Sequence, residues 1–143
     1  MTIDQIIRNT ESLSIPDIIR ETADDTKEIL ADLQADQMLH GKNANGNVIG
    51  VYAWEEYAEQ KSRQNSLPGF GIVDLMREGN FYRGITVNAN ANSVTINSTD
   101  GKTDKLVSKY GEEIFGLNIE YRAKYLEDFN PVALDKIKQQ IFK

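Results

Sequence analysis

GITVNANANSVTINST, residues 84–99, decides the fold class of this chain. Ile85, Val87 and Ala89 alternate with Thr86 and Asn88, and Val94 and Ile96 alternate with Thr95 and Asn97. A period of two places the apolar side chains on one face of a strand pair and the polar ones on the other. The Asn-rich tract 90–93 between them supplies residues that tolerate a reversing backbone. The spacing therefore predicts an antiparallel hairpin with one apolar face, which other elements have to cover.

Those elements read at helical period. Upstream, Ile18, Ile19, Thr22, Thr26, Ile29, Leu30 and Leu33 recur at spacings of three and four, with Asp17, Glu21, Asp24, Asp25, Glu28 and Asp32 on the other faces. One long amphipathic helix over residues 16–39 is expected, with Pro16 in its first turn and His40 as a C-terminal cap before Gly41. A shorter stripe, Ile3, Ile6 and Ile7, precedes it. Between this helix and the hairpin come a polar turn at 41–47, a short strand at 48–52 and a helix at 53–63 with Trp54, Tyr57 and Ala58 on one side. A turn-rich break at 65–71, NSLPGFG, leads to a short helical turn capped by Asp74. Downstream, a helix at 104–113 presents Leu106, Val107 and Tyr110, and the apolar IFGL follows at 114–117. Residues 119–129 read as extended or helical, with Tyr121, Tyr125, Leu126 and Phe129 at helical spacing; Asn130-Pro131 then opens a final helix carrying Leu134, Ile137 and Ile141. The expected architecture is α+β in a single domain, 1–143: a long N-terminal amphipathic helix packed on a small antiparallel sheet, with a C-terminal helix.

Composition narrows the chemistry. The 143 residues have room for one domain and one core. With no cysteine, thiolate metal sites, disulfides and cysteine nucleophiles are excluded. The start MTIDQIIRNT lacks a basic region followed by an apolar run, so no signal peptide is expected, and no stretch approaches the length of a membrane span. Residues 1–36 hold nine acidic and three basic side chains, a net of −6 that equals the charge of the whole chain. No Lys/Arg cluster marks a nucleic-acid groove.

The sequence carries no recognisable catalytic pattern. His40 is the only histidine, and Gly101-Lys102-Thr103 lacks the upstream glycine of a phosphate loop, since position 96 is Ile96. Glu55, Glu56 and Asp74 would be the carboxylates of a metal-dependent hydrolase, but their spacing forms no ligand set, and no cofactor or metal is expected. Aromatics carry more information. Trp54, Tyr57, Phe70, Phe81 and Tyr82 form a candidate partner surface; Trp54 and Phe81 also suit core filling, and Phe70, flanked by glycines in LPGFG, reads equally as a buried plug or an exposed anchor.

Four segments, taken in order, resemble the tail-completion or head–tail joining proteins of tailed bacteriophages, a family of neck or virion morphogenesis proteins. They are LADLQADQMLHGKNANGNVIGVYAWEEYAEQK at 30–61, DLMREGNFYRGITV at 74–87, the hairpin ANANSVTINST at 89–99, and KYGEEIFGL at 109–117. Where that family carries Thr-Gly and Ser-Ile, this chain has Glu78-Gly79 and Gly84-Ile85. The resemblance implies a non-enzymatic virion subunit forming a homo-oligomeric ring, commonly hexameric, at the head–tail junction. Its neighbours would be a head-side stopper, adaptor or portal ring and a tail terminator or tail tube, with DNA only in transit. In that setting Asp24, Asp25, Glu28 and Asp32 become candidate lumen-facing carboxylates that repel phosphates. The alternative expectation is a non-catalytic binding or regulatory module, monomeric or dimeric.

Overall fold

The computed structural model describes residues 1–90 and 92–143, and in it the alternating stretch folds as a hairpin. Strand β1 (Ile85–Ala89) pairs antiparallel with β2 (Val94–Ser98), with Val87 opposite Ile96 and Ala89 opposite Val94. Of the expected turn at 90–93, Ala91 lies outside the described residues. Three helices precede the hairpin at the N-terminus: α1 (Ile3–Glu11), α2 (Ile15–Asp25) and α3 (Lys27–Leu39). Helices α4 (Glu55–Gln64) and α5 (Asn80–Arg83) lead into the hairpin, and α6 (Thr103–Tyr110), a 3-10 turn (Glu112–Ile114) and α7 (Ile119–Ile141) follow it. β1 lies against α2 and α3, and α7 crosses α1, α2 and α3. The class is α+β. Among the described residues no helix is long and apolar enough to cross a membrane.

Four expectations need correction. The single helix over 16–39 is two helices that meet at Thr26, so the N-terminal helices are short. Thr22 and Thr26 turn their hydroxyls back to the carbonyls of Ile18 and Thr22 at 2.6 and 2.7 Å, a bonding mode that competes with straight helix. Thr26 leaves helical geometry with φ −107° and ψ 12°, and its hydroxyl also meets the Tyr125 hydroxyl at 2.8 Å, which ties the bend to α7. Second, the last helix begins at Ile119 and runs through Pro131 without stopping. Asn118 caps it, accepting from the Tyr121 amide at 3.1 Å, and packing along α1, α2 and α3 outweighs the one hydrogen bond that proline removes. Third, residues 48–52 form no ladder. They make single bridges, Lys42 to Val48 and Val51 to Ile72, because each end pairs with a different segment. Asp74 also differs from expectation. It caps no helix; its carboxylate accepts from the Met76 amide two residues on, a turn, while α5 starts later behind Gly79 at φ +83°.

The core has two parts. Met38, Ile49, Val73, Phe81 and Ile114 form one, and Leu30, Leu117 and Tyr121 the other, with Val87 and Ile96 of the hairpin packed against it. Two buried glutamines of α3 join these parts to the IFGL segment. Gln34 donates to the Ile114 carbonyl at 2.9 Å and accepts from the Gly116 amide at 2.8 Å. Gln37 donates to the Gly116 carbonyl and accepts from the Asn118 amide, both at 2.8 Å. Each side chain thus satisfies one donor and one acceptor of a largely buried segment that has no sheet partner. His40 is the C-cap of α3, with Nδ1 2.8 Å from the Asp36 carbonyl, as expected.

Candidate protein-docking groove

A groove of about 480 Å³ opens between the segment leading into α4, the turn before α5, and α6. Its first wall follows from the extended chain at 51–54. Tyr52 donates its amide to the Gly71 carbonyl and Val73 its amide to the Gly50 carbonyl, both at 2.9 Å, so this chain cannot coil inward. Trp54 is the N-cap of α4 in an extended conformation, and it stands 76% exposed beside Val51 at 71%. Tyr57, one turn into α4, meets the Tyr52 ring edge-on with centroids 5.0 Å apart.

Beneath this wall lies a buried ion pair. Lys61 Nζ is 2.9 Å from Asp74 Oδ1, with side chains only 7% and 1% exposed. Lys61 also donates to the Met76 carbonyl. Asp74 accepts from the Met76 amide at 2.9 Å, Asn65 Nδ2 at 3.0 Å and the Tyr52 hydroxyl at 3.4 Å, while the Tyr82 hydroxyl donates to its backbone carbonyl. Both charges are therefore compensated as buried charges must be. The hub fixes α4, the 65–71 loop, the 74–76 turn and α5 relative to one another. Just after it, Leu75 lies in the left-handed region at φ 59°, a strained conformation for leucine that costs about 1–3 kcal/mol and is held by the surrounding bonds.

The opposite wall comes from Asn80 and Phe81 of α5, the turn holding Asp100 and Lys102, and Leu106, Lys109 and Tyr110 of α6. Tyr110 packs over Gly50, where an added Cβ would stand 2.8 Å from its ring. Arg77, Lys102 and Lys109 set positive charge around the groove, Glu78 and Asp100 negative. Lys109 Nζ lies 5.3 Å from the Tyr110 ring centre, and Asp100 Oδ2 is buried without a hydrogen-bond partner. A second hollow of about 490 Å³ sits at the start of α7, bordered by Lys42, Asn45, Asn118 and Arg122.

The candidate residues divide. Trp54, Tyr57 and Phe81 line the same groove, but Phe81 is a buried core residue at its floor, which removes it from any exposed partner surface. Trp54 is exposed and fills no core. Tyr82 spends its hydroxyl on Asp74, and Phe70 is an exposed residue of the 65–71 loop outside the groove lining. Asp74 is enclosed by its partners, so it is not free to ligate a metal, and among the described residues no group of three or more metal-binding side chains is found. Asp24, Asp25, Glu28 and Asp32 are all exposed; Asp24 pairs with Lys27 at 3.7 Å and Asp25 with Lys136 at 2.7 Å. Lys61, Asn65, Gln34 and Gln37 escape sequence reasoning. Their one signal is polar residues falling on otherwise apolar helical stripes.

Tyrosines around these hubs give a pH prediction. Burial pushes the hydroxyls of Tyr52, Tyr82, Tyr121 and Tyr125 above their ordinary value; the Asp74 carboxylate adds to this at Tyr52 and Tyr82, and the hydrogen bond to Asp36 at Tyr121. The folded chain keeps these protons while the unfolded chain loses them near pH 10. Their contribution is complete below about pH 10 and is lost as pH rises beyond it. Urea midpoints measured from pH 8 to 11 should fall steeply over the last unit, and a flat profile would contradict the burial described.

The groove thus joins apolar walls, exposed aromatics and a charged rim above a closed ion pair. No family model, curated protein or solved structure matches the chain.

Proposed function

We propose that this chain is a non-catalytic structural subunit of a tailed bacteriophage, a tail-completion or head–tail connector protein that acts in a ring at the neck. The observation that carries it is the groove mouth. Val51 and Trp54 are 71% and 76% exposed on a wall that a buried ion pair holds in place. A large apolar surface fixed in water costs free energy in a lone chain and is recovered when a partner covers it. The order of the four segments that resemble the neck proteins supports the phage setting. Catalysis has no part in this reading, which rests on surface complementarity between subunits and with the head-side and tail-side rings.

Particles assembled without a functional copy of this chain should accumulate as DNA-filled heads and separate finished tails in electron micrographs. Normally tailed, infective particles would remove the reading. Within it, the exposed carboxylates Asp24, Glu28 and Asp32 are assigned to the lumen, where they repel passing phosphates; Asp25 is exposed too but is held at 2.7 Å by Lys136, and Asp24 more loosely at 3.7 Å by Lys27. Replacing Asp24 and Asp32 by asparagine and Glu28 by glutamine should slow genome exit from purified particles, and unchanged ejection kinetics would remove that assignment.

A further inference from the structure

We propose that the groove is the socket for helix α1 of a second copy of this chain, so that subunits join head to tail. The inference takes its partner from the connector reading. It starts from α1 itself. Thr2 and Gln5 close a capping box at its N-terminus, the Thr2 hydroxyl accepting from the Gln5 amide at 3.1 Å and the Gln5 side chain from the Thr2 amide at 2.8 Å. The helix is thus specified by its own residues. Yet none of those residues is buried, and Ile3 and Ile7 are 76% and 48% exposed. A helix of nine residues depends on covering its apolar stripe, and the lone chain half-buries Ile6 but leaves Ile3 and Ile7 in water. Its contacts run to α7, where Asn9 Nδ2 donates to the Ile141 carbonyl at 2.9 Å.

The groove has the complementary features. Val51, Trp54, Tyr57, Leu75 and Leu106 offer apolar walls to a helix presenting residues four apart, the helix-in-groove mode of recognition. Asp4 stands three residues before Ile7 and Glu11 four after it, so two carboxylates border the apolar stripe, and with Arg8 between them α1 carries a net charge of −1. Around the groove, Arg77, Lys102 and Lys109 make no ion pair among the described residues, and they outnumber Glu78 and Asp100. Donor and acceptor surfaces are different patches of one chain. Such a contact is heterologous and propagates from copy to copy until it closes into a ring.

The chain has no cysteine, so one introduced thiol pair reports the contact. A full-length copy carrying Ile7→Cys is mixed under mild oxidation with a copy carrying Trp54→Cys, and separately with one carrying Val51→Cys; all three positions are exposed. The control partner carries Thr95→Cys, on the exposed polar face of the hairpin. The expected result is a cross-linked heterodimer, with position 54 or 51, in at least about tenfold excess over the control. Adding Asp4→Lys and Glu11→Lys to the first copy should abolish the excess, and Lys102→Glu with Lys109→Glu in the second should restore it. Yields at 54 and 51 that match the control overturn the inference. A selective cross-link in a chain absent from tailed particles keeps the contact and removes the connector; a chain present in particles without a selective cross-link does the reverse.

Discussion

Lys61→Met is expected to destabilise the fold by about 3–5 kcal/mol, the usual cost of removing one partner from a buried ion pair. Methionine is unbranched and apolar, so packing around the stem is largely kept and the loss reports the charge. What it leaves is Asp74, 1% exposed, with a carboxylate that only neutral donors from Tyr52, Asn65 and Met76 still satisfy. Those bonds temper the penalty without replacing the ammonium. Asp74→Asn alone should also be costly, because it strands a buried lysine, whereas the double variant should lose less than the sum of the two. Since a domain of this size is stable by roughly 5–15 kcal/mol, the single change removes a large share of the margin. Urea unfolding with an unchanged slope is the measurement, and a loss below about 1 kcal/mol would mean that the pair is not desolvated.

The second large effect concerns the glutamine clamps. Gln34→Ala strands the Ile114 carbonyl and the Gly116 amide, and Gln37→Ala strands the Gly116 carbonyl and the Asn118 amide. Each substitution should cost about 2–4 kcal/mol, since one buried and one half-buried backbone group lose their partner at once. Hydrogen exchange separates this from simple loss of packing. The Gly116 amide should lose protection in Gln34→Ala and the Asn118 amide in Gln37→Ala, with the hairpin amides less affected. Amides that stay equally protected in the double variant would show that the clamps do not hold this segment. The consequence reaches α7, because Asn118 is both the last residue clamped and the cap that starts that helix.

The hairpin was legible because its signal is local: period-two alternation with an Asn-rich reversal, and β1 and β2 form with a register that keeps apolar residues on one face. Helix existence was legible too, but not continuity. Thr22 and Thr26 fit the apolar stripe, and their back-bonding to the chain, together with the Tyr125 hydroxyl, decides the bend at Thr26. Pro131 is a strong local stop signal that packing overrides. Of the groove, Trp54 and Tyr57 could be read as exposed aromatics, yet Lys102 and Lys109 arrive from the turn before α6 and from α6 itself, far along the chain, through contacts no periodicity encodes. Phe81 suits either a partner surface or core filling by its type, and its neighbours Met38, Ile49, Val73 and Ile114 make it core.

The connector assignment is tested most directly by quantitative mass spectrometry of density-purified tailed particles from the source of this chain. Copies of the chain are counted against the portal and major capsid proteins in the same particles. A low, fixed copy number near that of the portal and far below the capsid protein is the predicted result. Absence from the particles would contradict it and leave a binding module that uses the same groove.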